Sequence, residues 1–231
     1  MHIPDGYLSP STCATLGVVM VPIWYRASTK LKDTLDISRI PLLAMGAVFS
    51  FLIMMFNIPI PDGTTAHAIG AALLAIILGP WAAVFALSIT LVIQSLVFGD
   101  GGILALGANA FNMAFIAPFV GYYVYRLING KALPGSNRQL IAGGVASYVA
   151  INAAALAAAI EFGLQPLLFV APDGTPLYCP YDLTVTLPAM MLAHLTLAGI
   201  VEGIVTTATL KFLANQAVDS LTVPTEPRKE V

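Results

Sequence analysis

Residues 65–98 read TAHAIGAALLAIILGPWAAVFALSITLVIQSLVF, a run without a single Asp, Glu, Lys or Arg. A membrane-crossing helix needs about 20 mostly apolar residues, with roughly 17–25 tolerated. The run is too long for one crossing, and Gly79-Pro80 breaks it near its middle, because that pair ends a helix and marks a tight connection. It reads as two crossings, 65–78 and 81–98, the first of them short. Further apolar stretches lie on either side, at 11–26 and 40–58 before it and at 103–126, 139–162 and 183–212 after it. The expected fold is an all-α membrane bundle of seven transmembrane helices. Composition agrees. The 231 residues are 58% hydrophobic and 10% charged, whereas soluble domains run near roughly 45–50% and 25%. That much apolar surface needs lipid around it.

Charge orients the bundle. Loops on the cytoplasmic side collect Lys and Arg. With the N-terminus outside and seven crossings, Arg26, Lys30, Lys32 and Arg39 fall at the first inner loop. Arg126, Lys131 and Arg138 flank the third inner loop, and Lys211, Arg228 and Lys229 lie at or beyond the last helix end. All 10 basic residues then share one face. The opposite face holds Asp5, Asp62, Asp100, Glu161, Asp173 and Asp182. An acidic face concentrates cations, although solvated acids on a face that positive-inside bias has emptied would look the same. The expected topology is N-terminus outside and C-terminus cytoplasmic in the cell membrane. One transmembrane domain spans 1–214, and a disordered cytoplasmic tail spans 215–231.

Other features read as structural. Cys13 and Cys179 are too far apart for a local metal motif. Pro-Asp-Gly recurs at 4–6, 61–63 and 172–174, where Pro, Asp and Gly each favour a turn. The opening MHIPDGYLSP has no basic n-region leading into a long apolar run, so no cleavable signal is expected. The net charge of −2 and the lack of a basic stretch argue against nucleic acid.

The chemistry concentrates at three histidines, His2, His67 and His194. His2 and His67 both fall on the acidic outer face. The amine of Met1, the backbone nitrogen of His2 and the His2 imidazole can close a five-membered and a six-membered chelate ring on one metal. Both rings favour a common plane, and His67 can fill the remaining corner. Four nitrogens in a plane suit Ni²⁺ or Cu²⁺. Zn²⁺ prefers a tetrahedron, and Mg²⁺ or Ca²⁺ prefers oxygen. The site-residue expectation is therefore Met1, His2 and His67. His194 and Glu202, eight residues apart on the last helix, stand about 80° and about 12 Å from each other, too far to share one ion. Asn109 and Asn112 are candidates to brace the N-terminal segment by hydrogen bonds, with Gln94 and Ser95 weaker ones.

MHIPDGYLSP, followed by PDGTTAHAIGAALLAIILGPWAA and by AHLTLAGIVEGIVT, resembles the NikM/CbiM family over essentially the whole membrane region. These are the nickel- and cobalt-binding substrate components of energy-coupling factor transporters. The resemblance implies seven helices, and a metal held by the terminal amine, the second-residue nitrogens and a histidine at the entrance to the third helix. Carried to this chain, those are Met1, His2 and His67. The Pro-Asp-Gly-Tyr form is more similar to the nickel members, with Co(II) as the alternative cargo. The resemblance also implies partners: two ATPase subunits, a transmembrane coupling subunit and a small accessory membrane component.

The rest of the chain excludes rival classes. No G-x-x-x-x-G-K-[ST] phosphate loop is present, so ATP hydrolysis must belong to other subunits. No H-E-x-x-H motif supports an intramembrane metalloenzyme. The chain is expected to be no enzyme and to hold no resident cofactor. A metal-independent channel or permease that merely contains histidines is the other reading weighed.

Overall fold

A computed structural model describes residues 1–34, 40–60 and 64–222. Among them, seven continuous helices stand in chain order. They are α1 (Pro10–Thr34), α2 (Ile40–Met54), α3 (Ala71–Leu78), α4 (Pro80–Phe98), α5 (106–129), α6 (Asn137–Leu168) and α7 (183–222). Three of them, Pro80–Phe98, Asn137–Leu168 and Leu183–Gln216, are long and apolar enough to cross a membrane unaided, and Ile40–Met54 is a shorter apolar helix. Large apolar side chains stand open on their outer faces, among them Leu52, Val97, Leu127 and Leu192. Such faces call for hydrocarbon rather than water.

Gly79 ends α3 and Pro80 opens α4, as the Gly-Pro break required. Gly79 takes φ +88°, and the missing N–H of Pro80 is lost where a helix start has no use for it. The expected crossing at 65–78 needs correction at its start. Residues Thr64–Ala66 form strand β2, paired antiparallel with β1 (Ile58–Ile60). Helix begins only at Ala71. The chain between, carrying His67, has no regular secondary structure, and Gly70 turns it at φ +74° into α3, with the ring of Phe49 against that glycine. The hairpin also shortens the second expected helix, which stops at Met54. The turn at 61–63 and the acid Asp62 lie outside the described residues. The last helix runs past Asn215 to Thr222, so the expected tail is helical over its first residues, and 223–231 lie outside the described residues.

Three of the seven helices carry π-helical turns, at Gln94–Phe98, Ala110–Ile116 and His194–Ala198. Such wide turns are frequent at functional sites. Here they begin at Gln94, follow directly on Asn109, and begin at His194. Small residues allow the close packing around them. A Cβ at Gly121 would overlap Ala72, and one at Gly143 would overlap Leu210. The core is correspondingly rich in alanine, with Ala72, Ala83, Ala108, Ala114, Ala154 and Ala158 fully buried.

Candidate metal centre

The chain's first nine residues are not an exposed tail. Met1, His2, Ile3, Leu8 and Ser9 are all buried, and Ile3 is at 0% exposure. A segment without helix or sheet must find other partners for its peptide groups, and the bundle supplies them. Asn109 donates from Nδ2 to Ile3 O at 3.1 Å, and its Oδ1 accepts from Ile3 N at 2.8 Å. Gly102 N donates to the same carbonyl at 2.9 Å. The Asp5 carboxylate accepts from Ile103 N at 3.0 Å and Leu104 N at 2.9 Å, tying the segment to the start of α5. A Cβ at Gly102 would overlap Asp5, so only glycine permits this approach. Ser9 N donates to Gln165 Oε1 at 2.9 Å, and Cys179 N donates to Tyr7 O at 3.1 Å. The segment is thus pinned inside the bundle with its first two residues at the inner end.

There the two histidines meet. The rings of His2 and His67 stack with centroids 4.7 Å apart and planes 28° from parallel. Each ring is tied at one nitrogen. His2 Nε2 faces Gln94 Oε1 at 3.1 Å, so that nitrogen carries the proton. His67 Nδ1 faces Ala68 O at 3.1 Å and donates to it. The opposite atoms, His2 Nδ1 and His67 Nε2, are buried and have no hydrogen-bond partner. A buried acceptor left without a partner costs about 1–3 kcal/mol. Two such lone pairs on adjacent rings are what a metal cation would satisfy. They are also the atoms the chelate argument requires, since His2 must bind through Nδ1 to close its six-membered ring.

Electrostatics keep these donors ready. Burial pushes the Met1 amine down to about 5, against the opposing pull of the Asp100 carboxylate. Burial and then the amine's charge push His2 down to about 4, with Asp100 and Gln94 opposing. His67 is driven well below the ordinary histidine range by burial, then by the amine and by His2. At neutral pH all three groups hold a lone pair instead of a proton, the form a metal needs. Among the described residues no group of three His, Cys, Asp or Glu side chains gathers closely enough to hold a metal.

The surrounding candidates separate. Asn109 braces the segment as expected. Asn112 does not: its Nδ2 donates to Glu161 at 2.8 Å instead. Ser95 bonds back to Val92 O within its own helix. Gln94 orients the His2 ring. His194 donates from Nδ1 to Met190 O at 2.7 Å, leaving its buried Nε2 unpartnered. Its charge would reach His67, but it does not join the stacked pair. Glu202 does meet a neighbouring element. Its two oxygens accept from Ile69 N at 2.6 Å and Gly70 N at 2.8 Å, holding the chain that carries His67. Nothing in the sequence marked Asp100 as a partner of His2, or Glu202 as the anchor of Ile69 and Gly70, because these contacts join residues far apart in the chain.

Known proteins resemble the chain along nearly its whole length. A fused nickel transport protein of Rhodobacter capsulatus is 55% identical over 213 residues, covering 92% of this chain and 61% of that protein. The chain spans less than two thirds of that protein's length and also of a fused protein of Lactiplantibacillus plantarum, named a probable nickel transport protein, which is covered over 66%. A putative metal transport protein of Methanocaldococcus jannaschii is 49% identical, with 96% of this chain and 95% of that one covered. A crystal structure described as a truncated transition metal transporter superposes with a TM-score of 0.90 at 58% identity, covering 94% of this chain and 99% of that one. The family model for the cobalt uptake substrate-specific transmembrane region, CbiM, matches residues 2–220. The chain therefore belongs to the CbiM family, described as the cobalt uptake substrate-specific transmembrane region.

Proposed function

We propose that the chain captures Ni²⁺ from the extracytoplasmic side and holds it in a plane of four nitrogens. These are the Met1 amine, the backbone nitrogen and Nδ1 of His2, and Nε2 of His67. The observation that carries this reading is the pair of buried, unpartnered ring nitrogens on stacked His2 and His67, beside a buried amine. The similarity to proteins named as nickel transport proteins supports the choice of metal. Co²⁺ is the second reading, favoured by the cobalt description of the matching family. It would take more ligands than a plane supplies, and it does not readily displace an amide proton.

Uptake against a gradient needs energy from elsewhere, because the chain has no phosphate-binding loop. The reading assigns ATP hydrolysis to partner ATPase subunits joined through a transmembrane coupling subunit. The relatives that carry further sequence in one fused chain fit an additional membrane component.

Titration of the purified chain tests the site. One Ni²⁺ per chain should bind with the absorption of a planar, low-spin centre. The amine and His2 are already unprotonated above pH about 5. Binding near neutrality should therefore release close to one proton, from the His2 amide. Affinity should rise about tenfold per pH unit between roughly pH 6 and 8. A slope near two or three would mean that the amine or an imidazole still holds its proton. Co²⁺ binding more tightly than Ni²⁺ would hand the site to the second reading.

The orientation rests on the ten basic residues sharing one face. Cysteine introduced at position 173 should react with an impermeant reagent in intact cells, and cysteine at 131 only after permeabilisation. The reverse pattern would put the site's mouth on the cytoplasmic side.

A further inference from the structure

Four nitrogens around Ni²⁺ leave a charge unbalanced. The metal brings two positive charges and the deprotonated His2 amide cancels one. The amine and both imidazoles are neutral ligands. A net charge of +1 would remain under residues that are almost wholly buried. An uncompensated charge in such surroundings is strongly disfavoured.

A carboxylate stands beside it. Asp100 Oδ1 lies 3.5 Å from His2 Nδ1, the atom that must bind the metal. Gln94 already fixes the His2 proton on Nε2. A lone pair therefore faces a carboxylate with no proton between them, an arrangement that is repulsive until a cation arrives. Asp100 Oδ2 is likewise buried and without a hydrogen-bond partner. The Asp100 carboxylate acts on both the Met1 amine and the His2 ring.

The loop is shaped for this approach. Gly99 at φ +67° and Gly101 at φ +88° bracket Asp100. A Cβ on Gly101 would come within 3.3 Å of His2 Cδ2, so glycine lets the turn close against the ring. Asp100 N donates to Gln94 O at 3.0 Å. The residue that orients His2 therefore also anchors the turn that delivers the carboxylate.

We propose that Asp100 is the counter-charge of the metal centre, neutralising the Ni²⁺–amidate unit without taking a nitrogen's place. The proposal rests on the four-nitrogen reading above. It gives the site a charge rule as well as a shape rule: only a divalent ion that displaces one amide proton leaves the centre neutral.

Asp100→Asn keeps the size of the side chain and removes its charge. In the full chain, isothermal titration with Ni²⁺ should show affinity reduced roughly 30- to 5000-fold, the range for deleting one member of a buried charge pair. The planar absorption should stay where it is, because no nitrogen donor is touched. Affinity equal to that of the unmodified chain overturns the proposal. So does a displaced planar band, which would make the carboxylate a ligand in the plane. If Asp100→Asn does not insert, Asp100→Ser makes the same comparison with a smaller neutral side chain. Failure of the four-nitrogen reading shows separately, as the lack of a planar band in the unmodified chain.

Discussion

Acetylating the Met1 amine should abolish nickel binding and transport while the bundle still inserts. An acylated nitrogen is an amide, so the chelate loses its first donor. The remaining groups cannot rebuild it, because no three His, Cys, Asp or Glu side chains gather there among the described residues. Inserting one Ala between Met1 and His2 should have the same outcome by a different route. The longer chelate would place an amine, two amides and an imidazole on one metal and leave no corner for His67. The structure adds a steric reason. Met1 is 1% exposed and packs in the core, so an extra residue at the terminus has no space and must push His2 out of register with His67. Acetylation separates the two causes, since it adds three heavy atoms rather than a whole residue. Nickel retained by purified protein and uptake by cells are the readouts, with labelling of cysteine at 173 reporting that the bundle has inserted. A chain with its N-terminal tag shown to be attached, taking up Ni²⁺ as well as a C-terminally tagged one, would refute the role of the amine.

The sequence exposed the bundle more fully than the details around its site. Six of the seven helices fall close to their apolar runs, because lipid imposes a length and a composition that can be read locally. The hairpin at 58–66 was hidden for the same reason. Ile58, Pro59 and Ile60 extend an apolar run, and hydropathy cannot tell a short apolar strand from the last turn of a helix. Met1 and His2 were legible because chelation depends on position at the chain start. His67 was legible as a lone histidine on the same face. The Asp100 and Glu202 contacts were not. Asp100 looked like one of six solvated acids, and Glu202 like an isolated membrane carboxylate. Their partners are fixed by how π turns and glycine turns re-aim the chain, and those follow from packing across the bundle.

Changing His67 to Ala should reduce nickel affinity by more than about 100-fold and leave the fold in place. Groups that merely support a ligand are worth about 10–100-fold, and His67 is read as a ligand itself. Stability should change little. Among the described residues, the His67 ring bonds only to the carbonyl of the next residue, Ala68. The loop's anchors are the two N–H groups of Ile69 and Gly70 on Glu202, and the substitution leaves both intact. Glu202→Gln gives the contrasting case. The amide offers one acceptor where the carboxylate offered two, so one buried N–H loses its partner and the loop shifts. Nickel affinity should fall about 10–100-fold, with apo stability also lowered. In a His67→Ala background, Glu202→Gln should have almost no further effect on affinity, because its influence passes through a ligand that is already gone. His194→Ala should be milder than His67→Ala. Isothermal titration on folded protein, checked by gel filtration, measures all four. Unmodified affinity in His67→Ala would exclude it from the metal plane. Equal losses at His194 and His67 would move the site one helix over, onto the unpartnered nitrogen of the last π turn.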